Sequence, residues 1–538
     1  MWRSLRRGTE PQSEKGRATG VLWGHNARVS WPSLPSSAAL VLLGVFAFTG
    51  ASSCALAAQD SGGGHDAGGA GDTAGDSSSL SDQTAGDATT GASPSPLTAL
   101  DAGGDAEAEP PGDAGPAPGT GEICSSEWPQ SDWLAVYRTM LATDTMGNSY
   151  VALNYGDNRP LNDDASAPQL NLGTPSPRVG TGLAVAKFDD GCHLLWVREF
   201  GTSAPNSYGA EALVIATDTA SDVTILGSFT GSVDFGAGTL TVPADPPVLN
   251  GVLLRLDSNG ATVFSRQFVT KGSGTQTTAY DLAVTPTGIS TIALQTDSDT
   301  DFGSGPDSTS LLLGATWNNY LVQFDATGQV LFRETVPSIN SSVASIYDLA
   351  TNASGFLWTI GIAASIVSPS VVSPEVLTMG VTASGAYAWQ EADASGPPIA
   401  AGPGGAVELE VGGSSMTLQD FASDGTSSWT TSTPIAGSAL GGNLIIDATG
   451  DPVVVGYFRG AVTFGSTAPL TSIGGQDVDV QVFDPTGHLV SASAWGTPDD
   501  DEPGGIGVDP AGNLLVAGSS SQAGVGATSR VFFVKLAR

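Results

Sequence analysis

Acid–base chemistry at neutral pH most often needs a histidine, and the chain has four: His25, His65, His193 and His488. A Ser-His-Asp or Cys-His site, or a His-ligated zinc, requires the imidazole to meet partners from elsewhere in the fold. His193 and His488 follow Gly191 and Gly487 in two copies of one turn pattern, and His25 and His65 lie in segments without a folding signal. Residues at equivalent places in two repeats do not converge, so His-dependent catalysis is not expected. A carboxylate-only glycosidase would need two acids flanking one bond, and no pair stands out by spacing. Two loops carry binding chemistry instead. Asp297, Asp299 and Asp301 alternate before Gly303 as in half of an oxygen-ligand Ca²⁺ loop. Phe302 stands where a turn glycine belongs and no distal Glu follows, so a solvated loop is the plain alternative and Ca²⁺ the candidate cofactor. Trp317, Asn318 and Asn319 set an aromatic face beside two amides, a combination that suits a pyranose ring; Tyr320 begins a strand and is expected to pack.

Composition limits what these residues can serve. Among 538 residues are 71 Gly and 33 Pro, with 14% charged, which excludes a long helical or coiled-coil protein. Lys+Arg 19 against Asp+Glu 54 gives a net charge of −35, which repels phosphate backbones and excludes nucleic acid as a partner. The basic residues Arg3, Arg6, Arg7, Lys15, Arg17 and Arg28 precede the apolar run Ala38 to Phe48, an h-region too short to span a bilayer. Residues 1–53 therefore read as an export signal. Its end, TGASSC, resembles a bacterial lipobox with Cys54 as the acylated residue, although Ala51 stands where Leu is commonest. A rival cut after Ala57 would release a secreted protein. Residues 54–121 form an Ala/Gly/Asp/Ser/Pro-rich tether; from Ala55 to Gly121 there is no Lys, Arg or aromatic residue but nine Asp and two Glu. Such a segment stays disordered, with a reach of about 45 Å. The expected address is the cell envelope: an outer-membrane lipoprotein in a Gram-negative host, otherwise a secreted protein, touching membrane only through the anchor.

The remaining chain, 122–538, repeats. One series of hairpins includes AEALVIATDTASDVTILGSF (210–229) and GNLIIDATGDPVVVGYF (442–458). A second includes VLLRLDSNGATVFSRQF (252–268) and YLVQFDATGQVLFRETV (320–336). Each is two period-2 apolar runs around an Asp-x-x-Gly turn. The series alternate, giving seven four-stranded units whose second-series turn glycines are Gly191, Gly260, Gly328, Gly385, Gly425 and Gly487. The seventh unit has only three strands, so a strand from Ile123 to Trp133 should close it. Seven such sheets suit an all-β fold, a β-propeller of seven blades closed by an N-terminal strand. Closure brings Cys124 towards Cys192, as a disulfide in an oxidising compartment or as two separate thiols. Phe264, Phe332, Trp389 and Trp429 each lie four residues past a turn glycine and should pack between blades.

GSFTGSVDFGAGTL (227–240), GYFRGAVTFG (456–465) and TDSDTDFGSG (296–305) resemble the SBBP-type seven-bladed β-propeller repeats of exported bacterial proteins. That resemblance implies a fold and no catalytic residue. The links between hairpins gather on one face, with Asn162, Asp163, Asp164 and Asp499 to Glu502, and binding is expected there. Two functions fit: a non-enzymatic binding or interaction module for an unknown protein or glycan, or an extracytoplasmic carboxylate-dependent hydrolase or other carbohydrate-active propeller.

Overall fold

The structure, a computed structural model, describes residues 122–127, 135–156, 181–202, 209–242, 249–270, 277–296, 300–302, 318–335, 344–368, 371–392, 398–521 and 529–538. The signal, Cys54 and the tether lie outside the described residues. So do Asn162 to Asp164, Asp297, Asp299 and Trp317.

Alternating apolar residues and Asp-x-x-Gly turns build, among the described residues, seven antiparallel four-stranded blades. From the inner strand outwards, blade 1 is Ala135–Thr143, Ser149–Gly156, Thr181–Phe188 and Leu194–Thr202. Blades 2 to 6 repeat the plan, with inner strands at Ala210–Thr217, Thr277–Val284, Ala344–Thr351, Ile399–Gly402 and Ala439–Ile446. Blade 7 takes Asp500–Val508, Leu514–Ser521 and Ser529–Leu536 from the C-terminal end, and Glu122–Glu127 is its outer strand. Each inner strand touches the next, and that of blade 7 touches that of blade 1, so the ring closes. No helix among the described residues is long and apolar enough to cross a membrane.

Most of the turns owe their shape to one side-chain oxygen at the first position, a carboxylate in many and the Thr285 hydroxyl or the Asn352 amide in others. Asp325 Oδ1 accepts the N–H groups of Thr327 and Gln329 at 2.8 and 2.9 Å, and Asp484 does the same for Thr486 and His488. The fourth residue of each turn is left-handed, Gly328 at φ +79° and Gly487 at φ +79°, a conformation cheap only for glycine. Blade 1 departs from the reading by one position. Its left-handed residue is Cys192, at φ 63°, not Gly191. Asp189-Asp190-Gly191-Cys192 is thus the copy of Asp257-Ser258-Asn259-Gly260.

That shift explains the seam. The aromatic four residues past each turn covers the turn glycine of the next blade: Phe264 lies against Gly328, Phe332 against Gly385, Trp389 against Gly425 and Trp429 against Gly487. Trp196, four past Cys192, covers Gly260 in the same way. Trp196, Phe264 and Cys124 pair with Lys187, Arg255 and Lys535, equivalent positions on three third strands. Cys124 therefore occupies the aromatic's place on blade 7, and Cys192 the glycine's place on blade 1. Their disulfide, S–S 2.06 Å with Cα atoms 6.2 Å apart, substitutes for the aromatic contact where the ring closes.

The DFG segments are stitches between blades. Phe235, Phe302 and Phe464 are fully buried. Phe302 stacks near Phe268 with ring centroids 5.8 Å apart, and Phe235 lies 5.6 Å from Phe200. Val269 and Thr270, beyond the outer strand of blade 2, pair with Asp301 and Thr300 of blade 3. Ile435 and Ala436 of blade 5 pair likewise with Phe464 and Thr463 of blade 6.

Candidate functional site

Asp301 belongs to such a stitch. Its repeat equivalents are Asp234 and Thr463, which precede the same buried Phe; Asp234 Oδ1 accepts the Gly236 N–H at 2.8 Å. The repeat takes Thr as well as Asp at this place, while Asp297 and Asp299, the other two expected loop ligands, lie outside the described residues. Among the described residues, no three His, Cys, Asp or Glu side chains gather as a metal-binding group. Of the expected loop edge, Trp317 lies outside the described residues, and Asn318 and Asn319 open a strand, Asn318–Phe324. Asn319 pairs with Gln295 and is buried, and Tyr320 is buried in the core beside Phe302. Asp500 and Asp501 also sit in a strand. Asp501 is fully buried, accepting the Thr497 N–H at 2.5 Å and the Thr497 hydroxyl at 3.2 Å. His193 and His488 remain exposed on separate blades, each beside its own turn Asp.

The structure opens a cavity of about 680 Å³ on the face of the tight turns, where five first-series turns meet around the ring. Blades 1 and 2 contribute Thr143, Thr145, Thr217 and Thr219; blade 4 contributes Thr351, Asn352 and Ser354. Val284, Pro286 and Pro403 supply apolar surface. The turns hold one another in place: the Thr217 hydroxyl donates to Thr143 O at 2.6 Å and the Thr219 hydroxyl to Pro286 O at 2.7 Å. Asp218, the cup's carboxylate, is bound by the buried Arg255, which also reaches Asp222 at 3.1 Å and Gly288 O of blade 3 at 3.2 Å. A rim of hydroxyls and amide with its carboxylate already paired can hydrogen-bond an uncharged polar ligand, and it offers no acid–base pair.

Charge converges instead along the inner strands. A bulge before Asp281 and another before Asp348 bring these carboxyls together across blades 3 and 4. Both accept the Leu349 N–H, at 2.5 and 2.9 Å, and Asp348 reaches on to the Ile399 N–H of blade 5 at 3.0 Å. Burial, and then the Asp348 charge, push the Asp281 carboxyl well above the usual range; burial also raises Asp348. The charges of Asp281 and Glu211 act on Arg138, whose own burial lowers it. The pair ties neighbouring inner strands through the Leu349 and Ile399 N–H groups.

These raised carboxyls set a pH dependence. Asp501 is pushed up to about 6, chiefly by burial. A group raised in the fold favours folding below its unfolded pKa, and that contribution is lost as pH rises through the folded value. Asp189, Asp325 and Asp484 are lowered, each led by a hydrogen bond to its carboxylate, so their contribution is present above the unfolded value and lost on acidification. Melting temperature should therefore peak at about pH 4 and decline as pH rises through about 6, with Asp501→Asn flattening that decline. A profile that rises steadily to pH 8 would contradict this.

The sequence carried signals for both features. Thr143-Asp144-Thr145 and Thr217-Asp218-Thr219 repeat a hydroxyl on each side of the turn Asp, and Tyr-Asp-Leu-Ala occurs at 280–283 and 347–350. The first is a hydroxyl pattern on short turns, whereas insertions, the usual sequence signal of a binding face, fall in the long links. The sequence matches no protein-family model and no curated protein. Solved structures similar to the chain include a protein of unknown function from Dyadobacter fermentans, 10% identical, covering 77% of this chain and 98% of that one, TM-score 0.38. A Penicillium chrysogenum α-L-arabinanase complexed with arabinobiose is 9% identical over 77% and 98%, TM-score 0.36. A NanB sialidase variant from Streptococcus pneumoniae is 10% identical over 78% and 70%, TM-score 0.35. Likeness at this level says nothing of ligand or reaction.

Proposed function

We propose that residues 122–538 form a non-catalytic binding module of the cell envelope, taking a neutral, hydroxyl-rich ligand such as a short saccharide in the tight-turn cup. The observation that carries the reading is the cup's lining: hydroxyls from three blades, apolar Val284 and two prolines, and a carboxylate neutralised by Arg255. A hydrolase reading would rest on Asp281 and Asp348, and those carboxyls are engaged by the Leu349 and Ile399 N–H groups. A propeller with thirteen basic against forty-one acidic residues disfavours anionic glycans.

Glu122 pairs with Leu536, which immediately precedes the chain's C-terminal end at the tight turns, so the preceding chain joins the ring on the cup's face. With Cys54 acylated, the tether would run from this face to the anchoring membrane; mass spectrometry of the mature N-terminus tests the acylation, a protein starting at Ala58 without acyl chains refuting it. For the ligand, a screen of neutral and acidic oligosaccharides against the full chain should retain neutral ones intact. Release of new reducing ends would favour the hydrolase, and retention of acidic glycans alone would overturn the proposal.

A further inference from the structure

Blade 6 breaks the repeat at one buried place. Its third strand, Leu470–Phe483, carries Asp477, Asp479 and Gln481 on one face, exposed by 1%, 2% and 0%. Asp479 pairs with Gly456 and Ala494, and Gln481 with Val454 and Ala492. Val454, Ala492 and Ala494 pack with Leu409, Met416 and Leu418, so this face is turned to blade 5. Blades 2 and 7 have apolar Val252 and Phe532 opposite the corresponding glycines, Gly227 and Gly518. Asp479 is thus a carboxylate where the repeat uses a hydrocarbon.

Its surroundings are acceptors. The inner strand of blade 6 bulges between Leu440 and Asn443, with Gly441 at φ +71°. Leu440 O, Asp479 Oδ1 and Gly441 O lie 3.0, 3.1 and 3.3 Å from the position a Cβ on Gly456 would take, a cradle that any larger residue would fill. Gln481 Nε2 and the Gly456 N–H donate to Asp479. Asp479 Oδ2, Gln481 Oε1 and Asp477 Oδ1 are buried with no hydrogen-bond partner. Leaving a buried acceptor unsatisfied is costly, more so when it is charged. A buried carboxylate facing two carbonyls, with further bare oxygens on its strand, is satisfied either by a proton, which its burial favours, or by a cation held among these oxygens.

We propose that Asp479, Gln481 and the carbonyl oxygens of Leu440 and Gly441 bind a hard divalent cation, Ca²⁺, between blades 5 and 6. Carboxylate, amide and backbone carbonyl oxygens are the ligands that ion takes, with water completing its shell. Half-exposed Leu440 and its bulge give the ion a way in from solvent. Asp477, two residues along, adds negative charge. With one carboxylate in direct contact, affinity falls in the weak range of extracellular sites, about 10⁻⁴–10⁻³ M.

The Tyr457 ring lies against Gly441, its Cε1 3.2 Å from that residue's Cβ position, which supplies a fold-neutral probe. Tb³⁺ added to the full-length, chelator-stripped protein should give tyrosine-sensitised emission that Ca²⁺ displaces. Tyr457→Phe should lose most of the emission and keep saturable Ca²⁺ binding by calorimetry. Asp479→Asn should lose both, and Asp299→Asn neither. The proposal is overturned if the wild-type chain shows no saturable Ca²⁺ binding, if Tyr457→Phe leaves the emission unchanged, or if binding disappears with Asp299→Asn. Should Asp479→Asn fail to fold, the wild-type and Tyr457→Phe results decide.

Discussion

Replacing Cys124 by Ser should remove about 4 kcal/mol of stability, the magnitude expected when a crosslink closing a long loop is lost. Cys124 and Cys192 are separated by 68 residues in sequence and join the outer strand of blade 7 to blade 1. At the five junctions from blade 1 to blade 6 Trp196, Phe264, Phe332, Trp389 and Trp429 cover the next turn; here the disulfide takes that place, beside the stacked rings of Phe188 and Phe533, 5.0 Å apart. Without the crosslink, Glu122–Glu127 is held by its ladder to Ser529–Leu536 and by local contacts such as that from Trp495 Nε1 to Glu122 at 3.2 Å. Loss of that strand would bare a hydrophobic edge with Val531, Phe533 and Val534 behind it, a template for aggregation. Melting the wild type with and without a reductant checks this. Reduction should lower its melting temperature to that of Cys124→Ser and leave the variant unmoved. A reductant-insensitive wild type would mean the seam is held by other contacts.

The second large effect is expected at Arg255. Its guanidinium is 3% exposed and binds Asp218, itself 2% exposed at the side chain, while reaching Gly288 O of the next blade. Arg255→Met would leave a buried carboxylate uncompensated, at about 3–5 kcal/mol, because breaking one side of a buried pair costs more than the intact pair contributes. Arg255→Met with Asp218→Asn should recover part of that loss. Arg459 and Asp500, 2.7 Å apart but with Arg459 63% exposed, form the control, and Arg459→Ala should cost under about 1 kcal/mol. Urea midpoints of the three variants test the ordering, and equal losses would contradict it. Since Asp218 also lines the cup, Arg255→Met should weaken ligand binding as well, by leaving a bare negative charge at the rim.

Lys187 and Lys535 occupy the place of Arg255 on blades 1 and 7. Lys187 stands 3.8 Å from Asp144 and donates to Ser258 O of blade 2; Lys535 stands 2.8 Å from Asp509 and donates to Asp190 O of blade 1. Three of the scarce cations thus serve as ties across three successive junctions. Arg538 makes a fourth such contact, reaching Asp447 and Asp451 of blade 6. The strongly acidic ring spends its few positive charges on closure.

The blade count and the closing strand were legible because both rest on period-2 alternation and on a turn code that each repeat restates. The inter-blade aromatics were legible for the same reason. Cys192 was not, since the sequence offers Gly191 one position earlier and only the backbone shows which residue is left-handed. The burial of Asn319 was not legible, because local residue chemistry resembles a site whether or not the strand ladder consumes it. The inner carboxyls and the cradle at Gly456 depend on bulges, which have no fixed sequence signature. The cup depends on which turns share a face, and hairpin order does reveal that; what hairpin order leaves open is which face holds a cavity.

Calorimetric titration of a neutral oligosaccharide retained in the screen, against the wild type and Ala353→Trp, tests the central claim most directly. Ala353 is exposed in the blade 4 turn and lines the cup, so an indole there should fill it without disturbing a strand. Saturable binding by the wild type, with the ligand recovered uncleaved and binding lost in Ala353→Trp at unchanged melting temperature, is the predicted result. Binding of equal strength in both proteins would place the ligand elsewhere on the ring and contradict the account.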